Sequence, residues 1–433
     1  MAEATPLRDR KGYRIYVLAL LLVVYTFNFL DRQILGILKD PIQAELGLTD
    51  TQVGLMGGLA FALLYSTAAV PIAWLADRFS RVWIMTGALA LWSGFTAVCG
   101  MTHSFTQIFL ARMGVGIGEA GGVAPSYSMI ADYFPKHQRA RALAFYSFGI
   151  PIGTAAGVLF GGLIAASINW RVAFVIVGAA GLVLAPIFRL TVRDPKRGGL
   201  DTAAVEGPAL DVAAPPAPPP AFREVIKLLL PKPSFWLLAV GAAASSTCGY
   251  GVAYWLPTFF QRSMHLTLAE TAWFYSGVAL FGGMGGIWLG GVLADRFGKT
   301  KRGAYPLVPA VAFVIALPCF LLAMNTSNIF LAALLFLIPT GLNLAWLGPI
   351  VTAVQHLVPA NMRSTGSALF LLLNNLLGLG GGLYFYGAMS DLFKPWAGAE
   401  SMRWAIYSGL GFYVLAAALF VIAATRLKKD WVE

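Results

Sequence analysis

Apolar runs recur along this chain of 433 residues, and each is close to the roughly 20 residues that an α-helix needs to cross the hydrocarbon of a bilayer. Hydrophobic residues make up 58% of the chain and charged residues 12%, whereas about a quarter of the residues of a soluble domain are charged. The sequence therefore predicts an all-α membrane protein with twelve transmembrane helices. The runs lie near residues 14–36, 51–76, 82–101, 105–131, 139–167, 171–190, 234–261, 271–294, 305–324, 328–355, 364–390 and 403–425.

The basic residues are distributed unevenly between the predicted loops. With a cytoplasmic amino terminus, 24 of the 31 Lys and Arg fall on the cytoplasmic side and two inside helices, and the other five are Lys39, Arg171, Arg262, Lys394 and Arg403. This is the positive-inside pattern. It predicts a multi-pass protein of the cell (inner or plasma) membrane with both termini cytoplasmic. It also accounts for the net charge of +11 without nucleic acid. The first run is too long for a signal-peptide core, so we expect it to remain as a helix.

Two short signatures occur twice in the chain. The Leu-Ala-Asp-Arg-Phe sequence of Leu75–Phe79 returns as Leu293–Phe297. A proline followed four positions later by an arginine recurs at a similar offset, as Pro135 with Arg139 and Pro359 with Arg363. Similar offsets of unrelated signals indicate two matched halves. In an apolar chain such symmetry is typical of transporters whose halves move about a central site.

The predicted halves are joined by a polar, proline-rich stretch. Residues 1–192 are predicted to form an amino-terminal six-helix bundle and residues 233–433 a pseudo-symmetric carboxyl-terminal one. The linker between them, residues 193–232, contains the run Pro-Pro-Ala-Pro-Pro-Pro and is predicted to be cytoplasmic. Proline holds such a stretch partly extended, so no separate domain is expected there.

Away from the ends of the predicted membrane helices only four charged residues occur, namely Asp31 and Arg32 on the first and Arg112 and Glu119 on the fourth. A charge at bilayer depth costs from about 3 kcal/mol upward, so it marks a pathway, a pair or a proton relay. Arg112 and Glu119 share one helix face, and Asp31 lies at a depth similar to that of Arg112. Because an arginine favours the ionised form of a carboxylate that it faces, Arg112 could switch proton binding between Asp31 and Glu119. The alternative is an inert ion-paired cluster.

The repeated charged turns suggest a second role. A carboxylate followed by cations in a tight turn suits a lock between helix ends, and the alternative is a charge cluster that only sets topology. The predicted gating residues are Asp77, Arg78, Arg81, Arg139, Arg141, Asp295, Arg296 and Arg363.

Six plus six helices, a long cytoplasmic join and these turns resemble the major facilitator superfamily. Its loop signature, Gly-x-Leu-Ala-Asp-Arg-x-Gly-Arg/Lys, is matched fully by Gly291–Lys299, whereas the first copy has Ala73 and Ser80 at the glycine positions. The resemblance implies that helices one, four, seven and ten line a central cavity. It also implies that the turn aspartates hold neighbouring helix ends together in one conformation, with Arg139 or Arg141 as reachable partners in the first half.

Within that superfamily, Asn28–Arg32 and Leu48–Leu55 resemble the spinster-like lipid transporters. This resemblance implies proton-coupled movement of lysolipids or sphingoid phosphates. It would make Asp31 and Glu119 the protonatable pair, Arg112 the switch, and Arg32 a candidate partner for an acidic head group. An Asn-x-x-Asp-Arg pattern also occurs in organic-anion symporters, so a proton-coupled organic-anion symporter stays open as the alternative.

The second half repeats the scaffold without the charges. The offset that aligns Pro135 with Pro359 places Asn343 opposite Glu119 and Phe336 opposite Arg112. The first half is therefore predicted to couple the ion and the second to bind an apolar or amphiphilic substrate, although aromatic residues in such helices also serve as packing. The predicted substrate-binding residues are Arg32, Arg112, Asn343, Phe336, Tyr254 and Trp346.

The sequence offers no chemistry for catalysis. The three Cys and four His have no metal-ligand spacing, and no nucleophile with a base is found among the helices. We therefore expect no enzyme activity, no cofactor and no metal. The expected partners are a small amphiphilic substrate, protons and membrane lipid, with the chain acting as a monomer.

Overall fold

A computed structural model describes residues 11–197, 222–298, 302–359 and 362–432, and within these ranges it describes all side chains except those of residues 136, 140, 222, 290–298 and 364. Eighteen α-helices form the described chain, together with one π-helix and one 3-10 turn. The helices before the linker are α1 Lys11–Leu46, α2 Asp50–Gly57, α3 Leu59–Arg78, α4 Arg81–Cys99, α5 Phe105–Glu119, α6 Val123–Tyr133, α7 Lys136–Ser147, α8 Gly149–Ser167 and α9 Trp170–Thr191.

The helices after the linker include a stretch interrupted by the π-helix and the 3-10 turn. They are α10 Phe222–Leu229, α11 Pro233–Arg262, α12 Leu268–Gly298, α13 Ala304–Asn325, α14 Ile329–Leu342, α15 Leu347–Gln355, α16 Arg363–Asn374, the π-helix Asn375–Gly381, α17 Gly382–Ala397, the 3-10 turn Gly398–Glu400 and α18 Ser401–Asp430.

Nine helical stretches within the described ranges are long and apolar enough to cross a membrane. The last of them, Thr365–Asp430, is 66 residues long, several times the roughly 20 residues of one crossing. The predicted crossings near 105–131 and 271–294 correspond to α5 with α6 and to α12. The count of twelve crossings stays a prediction. The nine stretches are Lys11–Leu46, Asp50–Arg78, Arg81–Cys99, His137–Ser167, Trp170–Thr191, Pro233–Arg262, Ala304–Asn325, Ile329–Gln355 and Thr365–Asp430.

Polar caps begin several helices close to the predicted starts. The Thr49 hydroxyl accepts a hydrogen bond from the Gln52 amide while the Gln52 side chain accepts one from the Thr49 amide, a capping box at the start of α2. Single side chains cap three more helices, each accepting from a backbone N–H of the first turn. They are Ser104 before α5, Asn169 before α9 and Asn328 before α14.

Residues 11–35 and 63–197 form the described part of a first compact unit. Within it α4 packs against α5 and α9, and α8 packs against α9. The contact between α4 and α5 is close at Gly118, where a side-chain carbon would lie 2.6 Å from the backbone nitrogen of Trp92. Glycine at this position therefore allows the two backbones to meet.

Residues 36–62 and 222–432 form the described part of a second compact unit. Within it α11 packs against α18, α13 against α14 and α18, and α17 against α2 and α18. Its aromatic core contains Phe259, Phe260, Phe320 and Phe336. This grouping by contacts places residues 36–62 with the second unit, and the predicted halves and linker stay a prediction.

Two predicted helices are interrupted at equivalent positions of the repeat. The α5 helix ends at Glu119 and α6 begins at Val123, whereas α14 ends at Leu342 and α15 begins at Leu347. The two restarts are separated by the same offset as the two copies of the Pro-x-x-x-Arg signal. Each restarting helix has a proline as its third residue, Pro125 and Pro349, where the missing N–H removes no intrahelical bond. The repeat is therefore also present in the helix breaks.

The described carboxyl-terminal residues fold back onto the second unit. The Trp431 ring stacks on His356 at a centroid distance of 4.3 Å and on Tyr305 at 5.8 Å. The Val432 amide donates to the His356 carbonyl at 2.7 Å, and the Lys232 ammonium donates to the Asp430 carbonyl at 3.0 Å. We call these contacts around Trp431 the tail clasp.

Candidate functional site

The four predicted intramembrane charges lie together in the first unit. Arg32 Nε donates to Glu119 Oε2 at 2.6 Å, and Arg112 Nη1 donates to the backbone carbonyl of Asp31 at 3.3 Å. Asp31 and Arg112 are each 1% exposed and Glu119 is 0% exposed. Arg112 interacts electrostatically with both carboxylates. The cluster thus has two carboxylates and two guanidinium groups on two helices, and Glu119 has Arg32 as a direct partner.

The Asp31 carboxylate has an unusual environment. Neither of its oxygens accepts a hydrogen bond from any residue that the structure describes. The groups that act on this carboxylate are Glu119 and Arg112 from α5 and the Trp92 indole and Thr96 hydroxyl from α4. Sequence reasoning missed Trp92 and Thr96 because uncharged residues of a membrane helix do not stand out.

Arg32 is held by rings as well as by a carboxylate. Its guanidinium carbon lies 5.1 Å from the Phe29 ring centroid and 4.8 Å from that of Tyr65. Both distances suit cation–π interaction. A substrate head group would therefore have to compete with Glu119 for Arg32, whose predicted substrate role stays a prediction.

The predicted substrate residues of the second unit lie in different surroundings. Phe336 is fully buried in the aromatic core, and Trp346 lies beside Phe370. Tyr254 directs its hydroxyl to the Val53 carbonyl at 3.4 Å.

Asn343, by contrast, lines a small pocket. It accepts a hydrogen bond from the Tyr413 hydroxyl at 3.1 Å and lines a space of 20 Å³ together with Gly249 and Tyr275, enough for about one water molecule. Substrate binding by the four aromatic and amide residues of the second unit stays a prediction.

A larger apolar groove lies among α12, α13 and α14. Its volume is 460 Å³, and aliphatic side chains such as Leu307, Val311 and Ile315 line it while remaining partly exposed. No sequence signal pointed to this groove, because its lining is indistinguishable from other apolar helix surface.

Arg81 is the most highly connected of the predicted gating residues that the structure describes. Its guanidinium donates to Asp132 on α6, to Asp194 at 2.9 Å and to the Pro195 carbonyl at 2.8 Å. Although it lies at the start of α4, it is 1% exposed. These contacts join α4, α6 and the segment after α9 within the first unit.

The other predicted gating residues have simpler surroundings. The Asp77 carbonyl accepts a hydrogen bond from Arg197, while Arg78 lies over the Trp74 ring at 3.8 Å. Arg139 donates to the Phe134 carbonyl at 3.0 Å, and Arg141 is exposed.

In the second half, Arg363 interacts electrostatically with His356. The side chains of Asp295 and Arg296 lie outside the described residues. A gating role for the whole set stays a prediction.

A second charged network was missed by sequence reasoning. Arg262 donates to Asp50 Oδ2 at 2.8 Å and to Asp40 Oδ1 at 2.7 Å, and Asp50 is fully buried. Asp391 accepts from the amides of Asp50 at 3.2 Å and Thr51 at 2.7 Å, so it caps α2. All of these residues belong to the second unit.

The placement of Lys39 in an outer loop was wrong. Lys39 lies inside α1, which continues through Pro41 to Leu46, and it is 0% exposed. Its ammonium donates to the Tyr254 carbonyl at 2.9 Å and lies 5.3 Å from the Trp255 ring. The polar composition of the end of α1 concealed its helical continuation.

Comparison with known proteins identifies a matching family model and related sequences. The model of the Major Facilitator Superfamily matches residues 21–383. A protein of Mycolicibacterium smegmatis named an MFS-type efflux pump is 31% identical, with 98% of this chain and 96% of that protein covered. Protein spinster homolog 1 of Xenopus tropicalis is 26% identical, with 96% of this chain and 82% of that protein covered.

Solved structures agree with the sequence comparisons. A bacterial homolog to the human lysosomal transporter Spinster, crystallised in an inward-facing and unoccupied conformation, superimposes with a TM-score of 0.85 at 31% identity, covering 98% of this chain and 99% of that one. The nucleoside transporter NupG shares the fold alone, with a TM-score of 0.72 at 12% identity, covering 94% of this chain and 99% of that one.

These findings confirm the predicted all-α membrane fold and the predicted family, whose members are transporters and not enzymes. The chain belongs to the major facilitator superfamily and is a transporter of the spinster type.

Proposed function

We propose that this protein is a proton-coupled secondary active transporter that moves an amphiphilic lipid, of the lysophospholipid or sphingoid phosphate type, by alternating access. Two buried carboxylates carry the proposal of proton coupling: Glu119 is paired with Arg32, and Asp31 and Glu119 both interact electrostatically with Arg112. Burying an ionised carboxylate without hydrogen bonds is unfavourable, so Asp31 has reason to bind a proton in this arrangement. Arg112, which acts on both carboxylates, is the group that would exchange between them.

The proposed substrate class rests on likeness and on the character of the second unit. The relatives include proteins named after spinster, one of them a homolog to a human lysosomal transporter. The groove of 460 Å³ is lined by apolar side chains and is suited to a hydrocarbon chain. A hydrocarbon tail favours an apolar surface of this kind, and an arginine such as Arg32 or Arg112 suits an acidic head group.

The test is uptake into proteoliposomes under an imposed pH gradient, with a panel of lysophospholipids and sphingoid phosphates. We expect accumulation by the native protein. Asp31→Asn and Glu119→Gln, which mimic protonated side chains, should abolish gradient-driven accumulation and retain exchange. Arg112→Ala should uncouple both sites. Glu224→Gln is the control, because Glu224 is an exposed carboxylate of α10. Accumulation that persists in both neutral variants would refute the coupling role.

The second candidate is proton-coupled organic-anion symport. It is favoured by the pattern of Asn28, Asp31 and Arg32, which also occurs in symporters of that kind. Arg32 is a cation that could bind a small carboxylate. The same liposomes separate the two candidates. If short soluble carboxylates compete for transport while lysolipids and sphingoid phosphates do not, the organic-anion function is correct and the lipid proposal fails.

A further inference from the structure

Helix α4 presents two polar groups to the buried carboxylate of α1. Trp92 and Thr96 are four residues apart, so they lie on one face of α4, and both are fully buried. Their polar groups, the indole N–H and the hydroxyl, are among the groups that act on the Asp31 carboxylate. Gly118 on α5 leaves room for this face, because any side chain there would meet the Trp92 backbone.

The polar groups on the two sides are complementary, but they do not form hydrogen bonds of ordinary geometry. Within the described residues, Trp92 Nε1 and Thr96 Oγ1 have no hydrogen-bond partner, and the same is true of both Asp31 oxygens. A buried donor without a partner is unfavourable and is rarely retained without a role. A reorientation of the Asp31 side chain toward these two donors would satisfy both of its oxygens. The donors would then hold an ionised carboxylate.

We propose that Trp92 and Thr96 are positioning residues that receive the Asp31 carboxylate when it releases its proton. In the arrangement observed, neither Asp31 oxygen accepts a hydrogen bond from a described residue. When the proton leaves, the hydroxyl and the indole N–H donate to the two oxygens, so the ionised form no longer depends on an arginine alone. This inference rests on the proposed proton coupling at Asp31 and assigns a role to a helix that carries no charge at this depth.

Other titratable and charged groups also affect the protonation of Asp31. The titratable and charged groups that interact with it are Glu119 and Arg112 from α5 and the Cys99 thiol from α4. None of them is altered by a change at Thr96. The Ser93 hydroxyl is also buried and has no hydrogen-bond partner among the described residues, yet it faces Gly181 on α9. Ser93 therefore provides a matched control on the same helix.

The experiment measures the protonation of Asp31 directly and needs no substrate. Infrared difference spectra of the purified protein in liposomes are recorded across a pH series. The carboxylic-acid band that disappears in Asp31→Asn reports the protonated side chain. Thr96→Val keeps the shape of the side chain and removes its donor, so the ionised form loses a hydrogen bond. We expect the midpoint of the Asp31 band to rise by about one pH unit.

Three further variants decide the interpretation. Thr96→Ser restores a hydroxyl and should return the midpoint to its native value, while Ser93→Ala should leave it unchanged. Trp92→Phe should raise the midpoint as Thr96→Val does, and thermal unfolding in detergent checks that the variant is folded. If folded Thr96→Val and Trp92→Phe both keep the native midpoint of the Asp31 band, the proposed role of Trp92 and Thr96 is wrong, while proton coupling at Asp31 is unaffected. Absence of any Asp31-dependent band in the native protein overturns the coupling function itself.

Discussion

At the scale of single residues, the buried ion pair between Arg32 and Glu119 limits which single substitutions the protein can tolerate. Glu119 is fully buried and shares a 2.6 Å contact with Arg32. Removing one partner of a buried pair leaves an uncompensated charge, whereas removing both partners is much less costly. Stability and transport can therefore be separated by comparing single and double substitutions.

We expect Arg32→Gln to destabilise the protein by about 3 kcal/mol, because the Glu119 carboxylate would lose its direct partner. The double variant Arg32→Gln with Glu119→Gln should recover most of that stability. Thermal unfolding in detergent measures both effects. Equal melting temperatures of the native protein and the single variant would contradict a stabilising pair. If Arg32 also contacts the substrate head group, the double variant stays inactive in substrate exchange, while Glu119→Gln alone keeps exchange.

The residues that sequence reasoning found and those that it missed differ in one physical respect. Asp31 and Glu119 could be predicted because a charge inside an apolar run is unfavourable and therefore conspicuous. Thr96 is a common residue in membrane helices, and its importance depends on which carboxylate it faces. Lys39 was misplaced because Lys39, Asp40 and Pro41 together have the composition of a loop, whereas the helix is maintained by packing against α11.

At the scale of elements, the tail clasp links three separate parts of the second unit. Trp431 packs between His356, which follows α15, and Tyr305, at the start of α13. Burial and, secondarily, the positive charge of Arg363 hold the pKa of His356 below its ordinary value. The clasp therefore favours neutral histidine, and its stability is linked to pH.

The sign of that linkage predicts release of the tail in mild acid. Burial lowers the pKa of His356, and the hydrogen bond to Val432 of the tail raises it by less. If release of the tail exposes His356, docking is most stable above the ordinary histidine pKa of about 6.5 and weakens as the pH falls below it. A spin label on Lys429→Cys should become more mobile between about pH 7 and pH 5. His356→Phe retains ring stacking without a titrating group, and its label should be insensitive to pH. Mobility that changes equally in both proteins would exclude His356 as the cause.

The helix breaks show how far element boundaries could be predicted. The starts at Ser104 and Asn328 agree with cap residues visible in the sequence. The interruptions after Glu119 and Leu342 were missed, because membrane helices tolerate glycine and proline and a run of apolar residues gives no sign of a break. The signal that could have found them is the pair Pro125 and Pro349, which share the offset of the repeat.

At the scale of the whole molecule, composition and the repeat were enough to predict the fold class. They did not predict which residues belong to which compact unit. Hydropathy identifies which segments enter a membrane but contains no information on which segments pack together. Residues 36–62 group with the second unit through polar contacts such as that of Asp50 with Arg262. No local sequence pattern specifies a contact between two residues so far apart in the chain.

The distribution of basic residues predicts the orientation of the chain. Both termini are expected on the cytoplasmic side of the cell membrane, with Lys394 on the outer side. In a variant without Cys99, Cys248 and Cys319, a membrane-impermeant thiol reagent should label Lys394→Cys in intact cells. It should label Lys429→Cys only after permeabilisation. Both positions are exposed, so a difference in labelling between them does not arise from burial. Labelling of Lys429→Cys in intact cells would reverse the orientation.

The π-helix Asn375–Gly381 contains one residue more than an α-helix would need over the same stretch. Relaxing it to an ordinary α-helix would draw α17 along its axis by about 1.5 Å and rotate it by about 100°, the increments of a single residue. Ser390 and Asp391, which hold Asp50 and Thr51 from α17, would be turned away from them. Loss of the extra residue in the π-helix would therefore break the hydrogen bonds by which α17 holds the start of α2.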